Sequence, residues 1–156
     1  MTDADRLKAK FWTALADSPF LFLQLDGDPR SAVPMTAQLD KDADSAIWFF
    51  TSRDHPFAAG GHATATFSGK DHDLFARFAG TLAEETDRAR LEEEWSPAVS
   101  AWFPGGKDDP KLLMLRMDLG SAEIWNADIG FVNGIRMLLG RDVREEAAEN
   151  RVETAL

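Results

Sequence analysis

Cysteine is absent from the 156 residues. That excludes disulfides and thiolate chemistry, and a cytoplasmic address is the simplest fit. Long apolar runs are also missing. None approaches the ~20 residues that a membrane span requires, so no membrane partner is expected. The start, Met1-Thr2-Asp3-Ala4-Asp5, is acidic and lacks the basic opening and apolar centre of a signal peptide. Positive charge is scarce: 17 Lys and Arg stand against 27 Asp and Glu, a net charge of −10. This balance excludes a broad nucleic-acid surface and obliges any anionic ligand to find a local cluster of cations. The chain has no Gly-x-Ser-x-Gly elbow and no nucleotide-binding glycine signature; Gly60-Gly61 follows the wrong kind of element. His55, His62 and His72 lack the spacing of metal ligands, so no metal is expected. Glu92-Glu93-Glu94 reads as a solvated helix face.

The length and a 44% hydrophobic content fit one domain, residues 1–156, with a single core. Leu7, Phe11 and Leu15 recur at steps of four, predicting a helix over Asp3–Asp17 that Ser18-Pro19 ends. Phe20–Leu25 is apolar on both faces, which predicts a barrel strand covered from outside. Arg30–Leu39 alternates, with Val33, Met35, Ala37 and Leu39 on one side, and Pro34 marks an edge or a bulge. After an acidic turn at Asp40–Asp44 comes a strand over Ala46–Ser52. His55–Gly61 suits one or two helical turns, with Pro56 in the first turn and Gly60 at the stop. Further strands are predicted over His62–Ser68 and Asp73–Glu84. A second helix follows, capped by Thr86 or Asp87, carrying Leu91, Trp95 and Val99 and bent at Pro97. Lys111–Asn126 gives two strand pieces broken near Gly120. Residues 137–156 read as a C-terminal helix or mobile tail, with Val143–Val152 the helical stretch. Six or more short strands with few helices indicate a β-rich (α+β) small barrel with peripheral helices.

The most informative segment is Trp102-Phe103-Pro104-Gly105-Gly106-Lys107-Asp108-Asp109-Pro110. It sets two aromatics, one cation and two carboxylates between a helix and a strand, in a loop stiffened by proline at both ends. The loop equally suits a solvated turn anchored by two core rings. Upstream stands Trp48-Phe49-Phe50-Thr51-Ser52, and downstream Ala122-Glu123-Ile124-Trp125-Asn126. In that order, these segments resemble the FMN-binding split-barrel proteins related to pyridoxamine 5'-phosphate oxidase, and among them the small bacterial general stress protein 26-like group. The resemblance runs from Phe11-Trp12 to Trp125. It implies a six- to seven-stranded split barrel with peripheral helices, a homodimer, and flavin mononucleotide (FMN) in a cleft between the subunits.

Carried over residue by residue, the resemblance places Pro34, Met35 and Thr36 along the isoalloxazine ring and gives Phe50, Thr51 and Ser52 the ring or phosphate oxygens. Two family cations are replaced: the arginine position holds Val33, and the lysine position falls at or near Phe57. Arg53 is the nearest substitute, with Arg30 and Arg77 as others. Trp102, Phe103 and Trp125 serve as stacking walls or as interface core. Lys107 reaches a ligand or a partner, unless Asp108 and Asp109 neutralise it.

Three functions follow from the resemblance. The first is a cytoplasmic, homodimeric FMN-binding flavoprotein of the general stress type, whose enzymatic form is an FMN-dependent oxidoreductase acting on a small molecule. The second is a dimeric stress or binding protein with the same fold that has lost flavin affinity. The third, a pyridoxamine phosphate oxidase, needs further cations and a basic C-terminal strand, where this chain reads Arg144-Glu145-Glu146-Ala147-Ala148-Glu149. A deazaflavin or haem ligand stands by analogy alone. No residue is assigned as a catalytic acid or base.

Overall fold

The computed structural model describes residues 2–40, 45–126 and 151–156. The chain opens with α1, Asp3–Asp17, as its periodicity requires. Thr2 caps it: the Thr2 hydroxyl accepts from the Asp5 amide at 3.1 Å while the Asp5 carboxylate receives the Thr2 amide at 3.0 Å. Such a reciprocal cap contributes about 1 kcal/mol. Leu7, Phe11 and Leu15 are buried. Phe11 meets Phe67 and Phe78 edge-on, with centroids 6.0 and 5.4 Å apart, and so joins the helix to the barrel interior. Burial of each such side chain stabilises the fold by about 1.5–3 kcal/mol.

Among the described residues seven strands follow: β1 Phe20–Leu25, β2 Val33–Thr36, β3 Ala46–Ser52, β4 Gly61–Ser68, β5 Leu74–Glu84, β6 Leu112–Asn126 and β7 Arg151–Ala155. They form one antiparallel sheet in the order β2-β1-β4-β5-β6-β3, with β7 paired to β6. Inward residues such as Leu23, Ala65, Phe78, Met117 and Phe49 make a single core. The sheet curls until its two edges, β2 and β3, meet, among the described residues, at one bridge: the Gln38 amide donates to the Trp48 carbonyl at 2.8 Å, and Trp48 returns the bond at 3.1 Å. Away from that bridge the edges separate. The architecture is a nearly closed barrel with one open seam, the split barrel expected from the sequence.

Several boundaries differ from the sequence reading, each for a local reason. The strand expected over Arg30–Leu39 shortens to β2, because Pro29–Ser31 turns into a 3-10 helix and the Ser31 hydroxyl takes the Leu25 amide at 2.8 Å. Pro34 does lie on an edge strand, as a missing amide demands. The turn after β3 is a 3-10 helix, Pro56–Ala59, with Pro56 in its first turn and Gly60 after its last residue. The second helix is not bent at Pro97 but interrupted. It runs as α2, Arg88–Glu94, capped by Asp87, and restarts as α3, Pro97–Ser100, capped by Ser96. The residue before a proline is driven from helical angles, so the chain breaks there instead of curving.

β6 runs as one strand through Gly120, but the break expected there survives as a bulge: between the pairs Phe78–Ala122 and Gly80–Leu119, β6 carries Gly120 and Ser121 against the single Ala79 of β5. At Gly80 an added Cβ would stand 2.5 Å from the Asp118 carbonyl, so only glycine lets β6 pass this bulge. The C-terminal end is neither helix nor tail where it is described: Arg151–Ala155 is a strand on β6. Residues 127–150, which include most of the expected helix, lie outside the described residues.

The outer face of β1 is not covered, contrary to the expectation for Phe20–Leu25. Phe20 and Phe22 are 62% and 53% exposed, and none of the described residues covers them.

Candidate functional site

Antiparallel pairing fixes which backbone groups face the seam. Leu21 and Leu23 pair with Met35 and Val33, and the Ala37 amide donates to the Pro19 carbonyl, so the odd-numbered residues of this segment face β1. The even-numbered ones, with Gln38, face β3. On the opposite edge Trp48 faces Gln38, so Phe50 and Ser52 point their backbone groups the same way. Two strand edges thus present amides and carbonyls to one another across a gap.

The gap is a cavity of about 410 Å³ lined by Pro34, Met35, Thr36, Gln38, Phe50, Thr51, Ser52, Ala98, Val99, Trp102 and Phe103. This volume suits a ligand of small-molecule size. One wall is the β2 edge, another the β3 edge, and the third comes from α3 and the loop after it. Phe103 is buried against Val99 and Leu112 and anchors that third wall, whereas Trp102 is 82% exposed at the mouth. Trp95 stands edge-on to Phe50 at 5.9 Å behind the lining.

Eight of the sequence-predicted site residues meet at this cavity: Pro34, Met35, Thr36, Phe50, Thr51, Ser52, Trp102 and Phe103. Three do not. Arg53 and Lys107 line a neighbouring cavity of about 320 Å³ between β5, α2 and the loop. Trp125 lies on the outer face, where Arg77 and Arg151 each place a guanidinium 5.9 Å from its ring. Gln38 and the α3 residues Ala98 and Val99 were missed, because nothing in an isolated Ala-Val or Gln indicates a cavity wall.

Two of the substitute cations, Arg53 and Arg77, are engaged elsewhere. Arg53 holds Glu84 at 2.6 Å, a bond that raises the arginine pKa and lowers that of the carboxyl. Arg77 holds Glu123 at 2.7 Å. Phe57, where the family lysine was expected, is fully buried in the barrel core. The position points inward here, so the absent lysine is not a gap in the seam. His55 is occupied as well: its Nδ1 accepts from the Phe57 amide at 3.2 Å, and burial lowers its pKa. Val33 is half-buried against the core.

The loop itself is built around Asp109, whose carboxylate accepts from the amides of Gly105 at 3.0 Å and Lys111 at 2.9 Å. Those bonds hold the Asp109 pKa below the ordinary aspartate value. Asp108 pairs with Arg88 at 2.9 Å. Neither aspartate neutralises Lys107.

Comparison with known proteins decides the family. The profile of the pyridoxamine 5'-phosphate oxidase like family matches residues 6–148. The chain belongs to that family. Solved structures agree in fold. A general stress family protein of Xanthomonas campestris pv. campestris is 46% identical with a TM-score of 0.73, over 81% of this chain and 90% of that one. A general stress FMN/FAD binding protein of Xanthomonas citri is 44% identical with a TM-score of 0.73, over 79% and 90%. A protein described as general stress protein 26 of Jannaschia sp. CCS1 is 30% identical with a TM-score of 0.77, over 99% and 100%. No curated protein matches the chain. Among the described residues, no helix is long and apolar enough to cross a membrane, and no group of His, Asp and Glu could hold a metal ion.

Proposed function

We propose that this member of the pyridoxamine 5'-phosphate oxidase-like family is a homodimeric flavin-binding protein of the general stress type, holding its ring system in the seam. The observation that carries this reading is the pair of unzipped strand edges. A flavin ring has a flat apolar body and a rim of carbonyl and N–H groups. The seam offers backbone donors and acceptors at Thr36, Phe50 and Ser52, the hydroxyls of Thr51 and Ser52, and apolar surface from Pro34, Phe50 and Trp102. When bound, the flavin supplies two-electron redox chemistry on a small molecule, and the protein supplies position and electrostatics.

The ring end fits better than the phosphate end. Among the described residues, the cavity lining holds no lysine, arginine, histidine or carboxylate. FMN is therefore expected to gain little over riboflavin from a single chain. A partner subunit is the natural source of more. Phe20 and Phe22 stand opposite Thr36 and Pro34 in the sheet, so a second copy resting on the exposed phenylalanines also borders the cavity.

Visible spectroscopy during titration with FMN and with riboflavin tests the reading. Binding of both is expected, and FMN should exceed riboflavin only by what cations of the partner subunit add. Replacing Thr51 and Ser52 together with alanine should weaken each by about tenfold or more, at about 1 kcal/mol per neutral hydrogen bond. Unchanged affinity places the ring elsewhere. Failure of either flavin to bind the unaltered protein supports the second reading, a dimeric stress or binding protein that keeps the fold alone. The cation-free lining favours that alternative.

A further inference from the structure

Among the described residues the seam is zipped at the Gln38–Trp48 bridge, and the Arg90 side chain spans it there. Arg90, on α2, forms an ion pair with Asp40, two residues beyond Gln38, and lays its guanidinium 4.3 Å from the centre of the Trp48 ring. Asp40 extends the β2 side of the seam, and Trp48 belongs to the β3 side. Gln38 and Trp48 are the two residues whose backbones bond across the gap.

Trp48 is 4% exposed and pinned at its rim as well, where its indole N–H donates to Glu85 at 3.0 Å; Glu85 in turn meets Arg116 at 3.3 Å. On its own helix Arg90 lies 3.1 Å from Glu93 and 3.5 Å from Glu94. The Glu94 carboxylate is nearly buried and needs that countercharge. From Glu94 the chain passes to α3, whose Ala98 and Val99 form the third wall of the cavity.

We infer that Arg90 is a positioning residue that clasps the seam, setting how far β2 and β3 part and where the α3 wall stands. A planar cation suits the task. It stacks on an indole and forks toward a carboxylate at once, which an ammonium cannot do. The consequence for a ligand rests on the flavin-binding reading, since a wider gap separates the backbone groups that grip the ring. The clasp itself does not depend on that reading.

Amide hydrogen exchange resolved by residue tests the clasp. In Arg90→Gln, exchange at Gln38 and Trp48 should quicken by roughly tenfold, while Ala65 and Phe78 in mid-sheet hold their rates. Arg90→Lys keeps the charge toward Asp40 but loses the flat stack, and should fall between. A general loss of stability would quicken all four amides together. That outcome, or no change at Gln38 and Trp48, overturns the inference. Riboflavin dissociation, followed by its fluorescence, should also be several-fold faster in Arg90→Gln than in the unaltered protein. Equal dissociation rates overturn the control of the ligand by the clasp. If the unaltered protein binds no riboflavin, the flavin reading falls and the exchange result still judges the clasp.

Discussion

Phe57 holds the turn after β3 against the barrel core, fully buried with the His55 ring 4.2 Å above it. Reading position 57 as a lost phosphate cation treated a core residue as a surface one. Lysine there would have to place an ammonium among apolar side chains or distort the turn. Phe57→Lys is expected to destabilise the protein by about 4 kcal/mol or more, through lost packing and charge burial, as measured by urea unfolding. The seam residues do line one cavity, and their signal in the sequence is local. Pro34 and the Thr51-Ser52 pair advertise an edge and hydroxyls by their own chemistry. Arg53 was legible as a cation but not as one committed to Glu84, a partner 31 positions away. Long-range pairing decides which charges are free, and a single sequence does not display it.

At the scale of elements, the loop between α3 and β6 is a braced structure. Gly105 owes its place to crowding, since a Cβ there would stand 2.9 Å from the Asp109 Cα. The Asp109 carboxylate clamps the loop through two amides, and its pKa is lowered from the ordinary 3.8 by those bonds. A carboxyl depressed on folding favours the native loop above its unfolded pKa, and that contribution is lost as pH falls through the depressed value. The Gly105 and Lys111 amides should therefore stay protected at pH 4 and lose protection only in stronger acid. In Asp109→Ala they should be unprotected throughout, and hydrogen exchange along a pH series checks this. The strand and helix periodicities were readable because burial imposes them. The irregularity near Gly120 was readable too, but not that β6 bulges there instead of breaking, because that depends on Ala79 of the strand paired beside it.

For the whole molecule, the exposed aromatics and the acidic surface pull in opposite directions. A net charge of −10 keeps copies apart, while Phe20, Phe22 and Phe75 form an apolar outer surface that water disfavours. Trp102 adds to it at the cavity mouth, but Phe103 is spent inside its own chain. We expect a dimer at micromolar concentration by sedimentation equilibrium. Phe20→Glu with Phe22→Glu should convert it to monomer without unfolding it, because both side chains already face solvent in the single chain. A monomeric unaltered protein would refute this assembly. Barrel topology was legible from strand count and spacing; the bare outer face was not, since an apolar run looks the same whether a helix or a second subunit covers it.

Pro34 has a further effect on the barrel as a whole. By the pairing that joins Gln38 to Trp48, its backbone faces the end of β3, where an ordinary residue would offer an N–H to the opposite edge. Proline has none. A barrel whose edges matched at every rung would heal along its length and leave no room between them. Here one missing hydrogen removes a bond from the Pro34–Ser52 rung, so holding the seam open for the proposed ring system costs one bond fewer than it would with any other residue at that position.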